Sequence, residues 1–232
     1  MRAWLPWVIV ALLAAASVAT IRHAVADETV SEINGKLYEA GKAQANTGLN
    51  IDDTVWKYLQ AEARFAVRQA PQNGHYWGAL ARVYYLPRSV GQTAVSPDYM
   101  AAYEAHRHAV VAQPSSGYAW SALAYASDHL FAQNQLPGGK AALEQALVRA
   151  VALGAREPHV LRGVVDLGLA NWPVLGAATK QDVQRAVNHL ALRHSGDVLF
   201  IANQRGALPI VCAEQALALQ KVCMALAPNH GG

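Results

Sequence analysis

Hydrophobic and polar positions divide the chain into two parts of different character. Trp4 to Ile21 is an unbroken uncharged apolar run, opened by Arg2 and closed by Arg22 and His23. Eighteen residues at 1.5 Å each reach roughly 27 Å, close to the hydrocarbon thickness of a bilayer. Beyond it, apolar residues return at intervals of three and four, the period of helices that bury one face. Glu28 to Gln44 reads as a weakly amphipathic helix ending before Asn46-Thr47-Gly48. Asp52 or Asp53 is placed to cap a helix carrying Trp56, Leu59 and Ala63. Gln181 to His194 and Leu208 to Leu226 read as the closing helices. Alanine is abundant, β-branched runs are short, and no strand–turn–strand signature appears, so the expected fold class is all-α.

The body also repeats itself. Pro71–Tyr84 (PQNGHYWGALARVY) and Pro114–Ser127 (PSSGYAWSALAYAS) share a proline, a tryptophan six residues on, and Leu-Ala beginning three residues after that. The pairs Trp77/Trp120, Leu80/Leu123 and Ala81/Ala124 are each 43 residues apart. A third copy, anchored on Pro158, places Val164, Leu167 and Gly168 in that register. These are the spacings of the first helix of a tetratricopeptide-like unit, in which large residues form a stripe and a small one lets the partner helix approach. The common period is about 34 residues. The surplus here falls between the two helices of a repeat, at Leu86–Pro97 and around Leu136-Pro137-Gly138-Gly139. Gly154 is placed as a helix C-cap, and both repeat tryptophans are expected to be buried. The expected architecture is a helical-repeat stack over 27–232, preceded by an N-terminal transmembrane or signal helix over 1–26.

Whether that first helix is removed stays open at this level. Ala24-Val25-Ala26 before Asp27 has the small-x-small form of a signal-peptidase site. The length of the run, with Arg22 and His23 beside the site, favours an uncleaved anchor through residues 4–21. Either way the body is expected on the far side of the inner membrane, in the periplasm.

Charge narrows the partners. Without Arg2 and Arg22, the 19 Lys and Arg fall to 17 against 16 Asp and Glu. Such a balance offers no electrostatic footprint for nucleic acid. Cys212 and Cys223 both fall in the Leu208–Leu226 run, where a single helix would hold them roughly 16 Å apart. On that reading they are two small buried hydrophobes rather than a disulfide.

Several stretches resemble the VpsP-like polysaccharide biosynthesis proteins. They are Trp56 through Asn73, Ala79-Leu80-Ala81-Arg82-Val83-Tyr84, Tyr118-Ala119-Trp120, Ala152–Val160 (ALGAREPHV) and Asp166–Trp172 (DLGLANW). The likeness spans roughly Trp56 to Cys212. It implies an exported, membrane-associated protein of exopolysaccharide assembly with protein partners. No catalytic motif transfers from that resemblance.

The residues themselves show no enzyme signature: no G-x-S-x-G, H-E-x-x-H, phosphate loop or C-x-x-C. No catalytic residue, metal site or cofactor is expected. His106 and His108 point to opposite sides of a helix, His189 and His194 are badly spaced for one metal, and Asp128-His129 is a dyad only by sequence adjacency. Function is expected instead on the groove face of the first helices. The register puts His75, Gly78, Arg82 and Tyr85 there in the first repeat, and Tyr118, Ser121, Tyr125 and Asp128 in the second. The third copy gives Arg162, Val165, Leu169 and Trp172. Arg82, Tyr85, Tyr125, Asp128 and Trp172 suit an extended peptide, or a glycan ring laid on an aromatic. The leading expectation is a non-catalytic periplasmic adaptor in exopolysaccharide synthesis or export. A scaffold for cytochrome maturation or secretion is the alternative, and a glycan-acting enzyme comes third.

Overall fold

The computed structural model describes residues 5–48, 50–213 and 223. Among these the protein is all-α, with nine helices and one small sheet. It divides into two compact units, Met1–Gln113 and Pro114–Gly232.

In the first unit a single helix, α1 (Leu5–Thr47), carries the apolar run directly into the folded body. Ala26, Val30 and Ile33, spaced for one helix face, are buried against α2 (Asp53–Gln69) and α3 (Gly74–Tyr84). Asp52 caps α2 by accepting from the Thr54 amide. Trp56 lies in the core and donates from Nε1 to the Val83 carbonyl at 3.0 Å. The polar contacts of α1 and α3 run in parallel register. Tyr76 donates to Asp27 Oδ1 at 2.6 Å, and Arg82 donates to Asn34 Oδ1 at 2.7 Å. α3 in turn packs on α4 (Tyr99–Ala112), whose inward positions Ala102, Ala105 and Ala109 are small enough for close approach.

The surplus between α3 and α4 is a hairpin of β2 (Arg88–Val90) and β3 (Thr93–Val95), turning at Gly91, whose φ is +59°. β1 (Ile51–Asp52) pairs in parallel with β2, Ile51 opposite Arg88. The sequence pattern hid this sheet because its strands are only two or three residues long. Arg88 fixes it to α2: its guanidinium lies 3.9 Å from the Trp56 ring centroid and its Nε 3.3 Å from Asp53 Oδ1.

The second unit contains α5 (Gly117–Ala132), α6 (Gly139–Gly154), α7 (Pro158–Ala170), α8 (Ala177–Gln204) and α9 (Leu208–Ala213). α5 packs on α6 and α7, and α8 on α6 and α7. Leu143, Leu147, Val160, Val164, Val165, Val183 and Leu190 supply its core.

The repeat is visible in bonds as well as in residues. Trp77 Nε1 donates to the Pro71 carbonyl at 2.8 Å, and Trp120 Nε1 donates to the Pro114 carbonyl at 2.9 Å. Each indole closes the turn that precedes its own helix. Both rings are therefore half-buried at the edge of the body, where full burial was expected. The third copy is also corrected. Pro71 and Pro114 stand three residues before their helices, whereas Pro158 is the first residue of α7, a position that suits proline. Helix starts at Gly74, Gly117 and Pro158 make the offsets 43 and then 41 residues. Leu161, Val164 and Val165 therefore take the places of Trp77, Leu80 and Ala81, with Val165 as buried as Ala81 and Ala124.

Three further expectations change. Gly154 ends α6 without a left-handed backbone, and a Cβ there would meet Val160 Cγ1 at 2.4 Å, so close packing explains it. The helix expected to stop at His194 does break there (φ −136°, ψ 47°), but it resumes through Gln204. That resumed segment leans on α7 through Arg162–Asp197 at 2.6 Å and Arg205–Asp166 at 2.7 and 2.8 Å. Finally, Cys212 and Cys223 form a disulfide, with Cα atoms 5.6 Å apart. That distance rules out the single helix that kept them apart in the sequence reading; within Leu208–Leu226 the residues past Ala213, apart from Cys223, lie outside the described residues.

Candidate functional site

In the first unit the two groove candidates are engaged with the fold. Arg82 faces α1 through Asn34. Tyr85, the residue that follows α3, is half-buried, with ring centroids 6.0 Å from Tyr99 and 5.8 Å from His106. His106 is nine-tenths buried or more, and burial, aided by the positive charge of Arg82, pushes its basicity down to about 3. Its Nδ1 has no hydrogen-bond partner. It is a neutral core side chain at any ordinary pH and cannot shuttle protons there.

In the second unit Tyr125 stands exposed with His129 edge-on at 4.7 Å. Asp128 Oδ1 accepts from Asn171 Nδ2 at 2.6 Å, and the same amide donates to the Leu167 carbonyl at 3.0 Å. Asp128 thus ties α5 to the end of α7, a structural use of the carboxylate. Val165 and Leu169, placed on the groove by the 44-residue offset, are in the core. The corrected offset puts His159, Arg162 and Asp166 in line with Tyr118, Ser121 and Tyr125. Trp172 falls past the end of α7, in the turn to α8.

That displacement puts Trp172 at a cleft of about 340 Å³, lined also by Lys180, Gln181, Gln184, Arg185 and Asn188. Lys180 Nζ is 5.6 Å from the indole centroid. Arg185 is ion-paired with Asp182. Gln184 is 8 % exposed, and both its amide nitrogen and its amide oxygen lack a hydrogen-bond partner. Sequence reasoning found Trp172 and missed the rest. The signal was present: positions 180, 181, 184, 185 and 188 recur at i, i+1, i+4, i+5 and i+8, one polar face of a helix. Such a face ordinarily reads as solvated surface.

A larger cleft of about 520 Å³ lies between the α6–α7 turn and the break in α8. Arg156, His189, Arg193 and His194 line it over Leu161 and Leu190. It holds no buried polar group without a partner. Among the described residues no group of three or more His, Cys, Asp or Glu is placed to hold a metal ion.

The N-terminal helix bears on location. α1 is long and apolar enough to cross a membrane, with a mean hydropathy of 1.9 and none of its apolar window buried. It could serve as an anchor or as a signal sequence. No family model and no curated protein matches the chain.

Proposed function

We propose that the protein is a non-catalytic helical-repeat adaptor held by α1 on the periplasmic side of the inner membrane, where it organises partners in exopolysaccharide synthesis or export. One observation carries the tether: the apolar run and the first core helix are one uninterrupted α-helix. Ala26, the residue before the candidate cleavage point, is fully buried, and the His23 carbonyl lies 3.3 Å from the Tyr76 hydroxyl. An uncleaved chain keeps these contacts. The Cys212–Cys223 disulfide suits an oxidising compartment. Helix pairs in tetratricopeptide-like order suit protein partners more than chemistry, since such folds bind along extended faces. The polysaccharide assignment rests on the resemblance of Trp56–Cys212 to the VpsP-like proteins.

Two measurements test the reading. Alkaline phosphatase fused after Gly232 should be active, and the mature protein should retain residues 4–21 and sediment with membranes. Deleting the gene should lower exopolysaccharide output, and Tyr125→Ala should restore it only in part. An inactive fusion would overturn the location. Normal output in the deletion strain would overturn the role.

A further inference from the structure

We propose that the Ala26–Asp27 bond is a processing site which the folded body holds closed through Tyr76, and that opening this contact lets a protease free the body from the membrane. The proposal rests on the export reading and adds to it the residue that decides between anchor and release.

Two properties of the same few residues oppose each other. Ala24-Val25-Ala26 has the small side chains that an exported signal-type endopeptidase accepts before the bond it cuts, and it lies just past the apolar run that ends at Ile21. In the fold, however, these residues are part of the unbroken helix α1. Inside an α-helix each carbonyl is bonded to the amide four residues on, whereas an endopeptidase takes its substrate as an extended strand. Packing adds a second closure. Ala24 and Val25 are exposed, but Ala26 is 0 % exposed and shares a core with Val30 and Ile33. Tyr76 adds the third. Its ring is buried, its hydroxyl donates to Asp27 Oδ1 at 2.6 Å, and the same hydroxyl lies 3.3 Å from the His23 carbonyl. His23 is the residue just before the tripeptide and Asp27 the residue just after it. One side chain of α3 therefore brackets the whole site.

The cut itself is a hydrolysis. Water adds across the Ala26–Asp27 peptide bond, the C–N bond breaks, and Ala26 keeps a carboxylate while Asp27 gains an amine. Asp27, Val30 and Ile33 all stay with the released chain, so the cut severs the tether and leaves most of the α1 packing in place. Access depends on local unwinding of α1 at this point. Where opening and closing are fast, the rate of cutting follows the fraction of molecules that are open.

The test follows the full chain by pulse-labelling in a bacterial host, with membrane and soluble fractions compared and any shorter product sequenced from its N-terminus. The parent should stay full length in the membrane fraction. Tyr76→Phe keeps the buried ring and removes the hydroxyl; it should be cut about tenfold faster or more, to a soluble product that begins at Asp27. Tyr76→Ala should be cut faster still. Ala24→Leu places a large side chain on an exposed position, so it should spare the fold and protect the Tyr76→Phe chain from the cut. That protection separates this site from general proteolysis of a loosened protein. The proposal is overturned if both Tyr76 variants stay full length, if the product begins elsewhere, or if Ala24→Leu gives no protection. With an active phosphatase fusion and a full-length parent, those results refute the lock alone. A parent already cut at Ala26 refutes the lock and the tether together, and an inactive fusion refutes the export reading on which both stand.

Discussion

A Cβ placed on Gly117 would lie 2.5 Å from the backbone nitrogen of Gly154 and 2.6 Å from its Cα, so α5 and the end of α6 meet backbone to backbone. Gly74 makes the matching contact in the first unit, where a Cβ would fall 2.7 Å from the Ala109 carbonyl oxygen. Neither obstacle is a side-chain tip that can swing aside. Gly117→Ala should therefore force the helices apart and destabilise the fold by about 2–3 kcal/mol, in the range of core overpacking. Gly78 is the control. A Cβ there meets nothing within 4 Å, and Gly78→Ala in mid-helix should stabilise by about 0.5–1 kcal/mol. Urea titrations followed by circular dichroism compare the two. Equal effects would refute the close approach.

His106 predicts a sensitivity to acid. Burial lowers its folded-state pKa to about 3, against an ordinary 6.5 for the unfolded chain. The unfolded chain therefore takes up the proton first. The stability that the neutral form supports is complete above pH 6.5 and falls as the pH drops toward 3. The slope for one such group is about 1.4 kcal/mol per pH unit. His106→Leu should flatten that part of the stability profile. It should do so without a large loss at pH 7, because it removes a ring nitrogen that has no partner. Urea midpoints at pH 7 and pH 4.5, measured for parent and variant, check this. Identical pH dependence in both would count against it.

The Cys212–Cys223 link predicts a chemical result. Protein purified without reductant and denatured should show no free thiol, and reduction should release two. The loop closed is short, at 11 residues, so the chain-entropy contribution is about 3 kcal/mol at most. Cys223→Ala should lower the melting temperature and leave the proposed membrane association of α1 unchanged. Two reactive thiols in the unreduced protein would rule the bridge out.

What could be read from the sequence was what packing makes periodic. Trp77 and Trp120, Leu80 and Leu123 recur because the same helix sits in the same surroundings twice. The reading failed where one residue type serves two purposes. Pro158 looks like Pro71 and Pro114, yet it opens a helix where they precede a turn, and that moved every third-repeat position by three residues. The indoles of Trp77 and Trp120 count as apolar in a periodicity, but their N–H groups bond a proline carbonyl and hold them at the edge. The disulfide was missed because the stretch between the two cysteines, which has no Gly or Pro, was taken as part of one straight helix. Of the groove candidates, Arg82 and Asp128 lie on α3 and α5, and Tyr85 just past the end of α3. Their contacts with Asn34, Tyr99 and Asn171 come from other elements, which helical spacing cannot reveal. Gln184 was invisible for a related reason: helical spacing puts it on a polar face, yet it is buried.

Under the proposed tether, the uninterrupted α1 also makes the membrane segment a drive shaft. Because Asp27 and Asn34 are clamped by Tyr76 and Arg82, the first unit cannot swivel about that helix. One residue added between Ile21 and Arg22 would turn the first unit by about 100° around the helix axis and lift it by about 1.5 Å. Seven residues would bring it back to within about 20° of its original heading. If partners in the same bilayer must meet a particular side of this protein, output should collapse with one inserted alanine and recover with seven. A tether that acted as a loose string would tolerate both insertions alike.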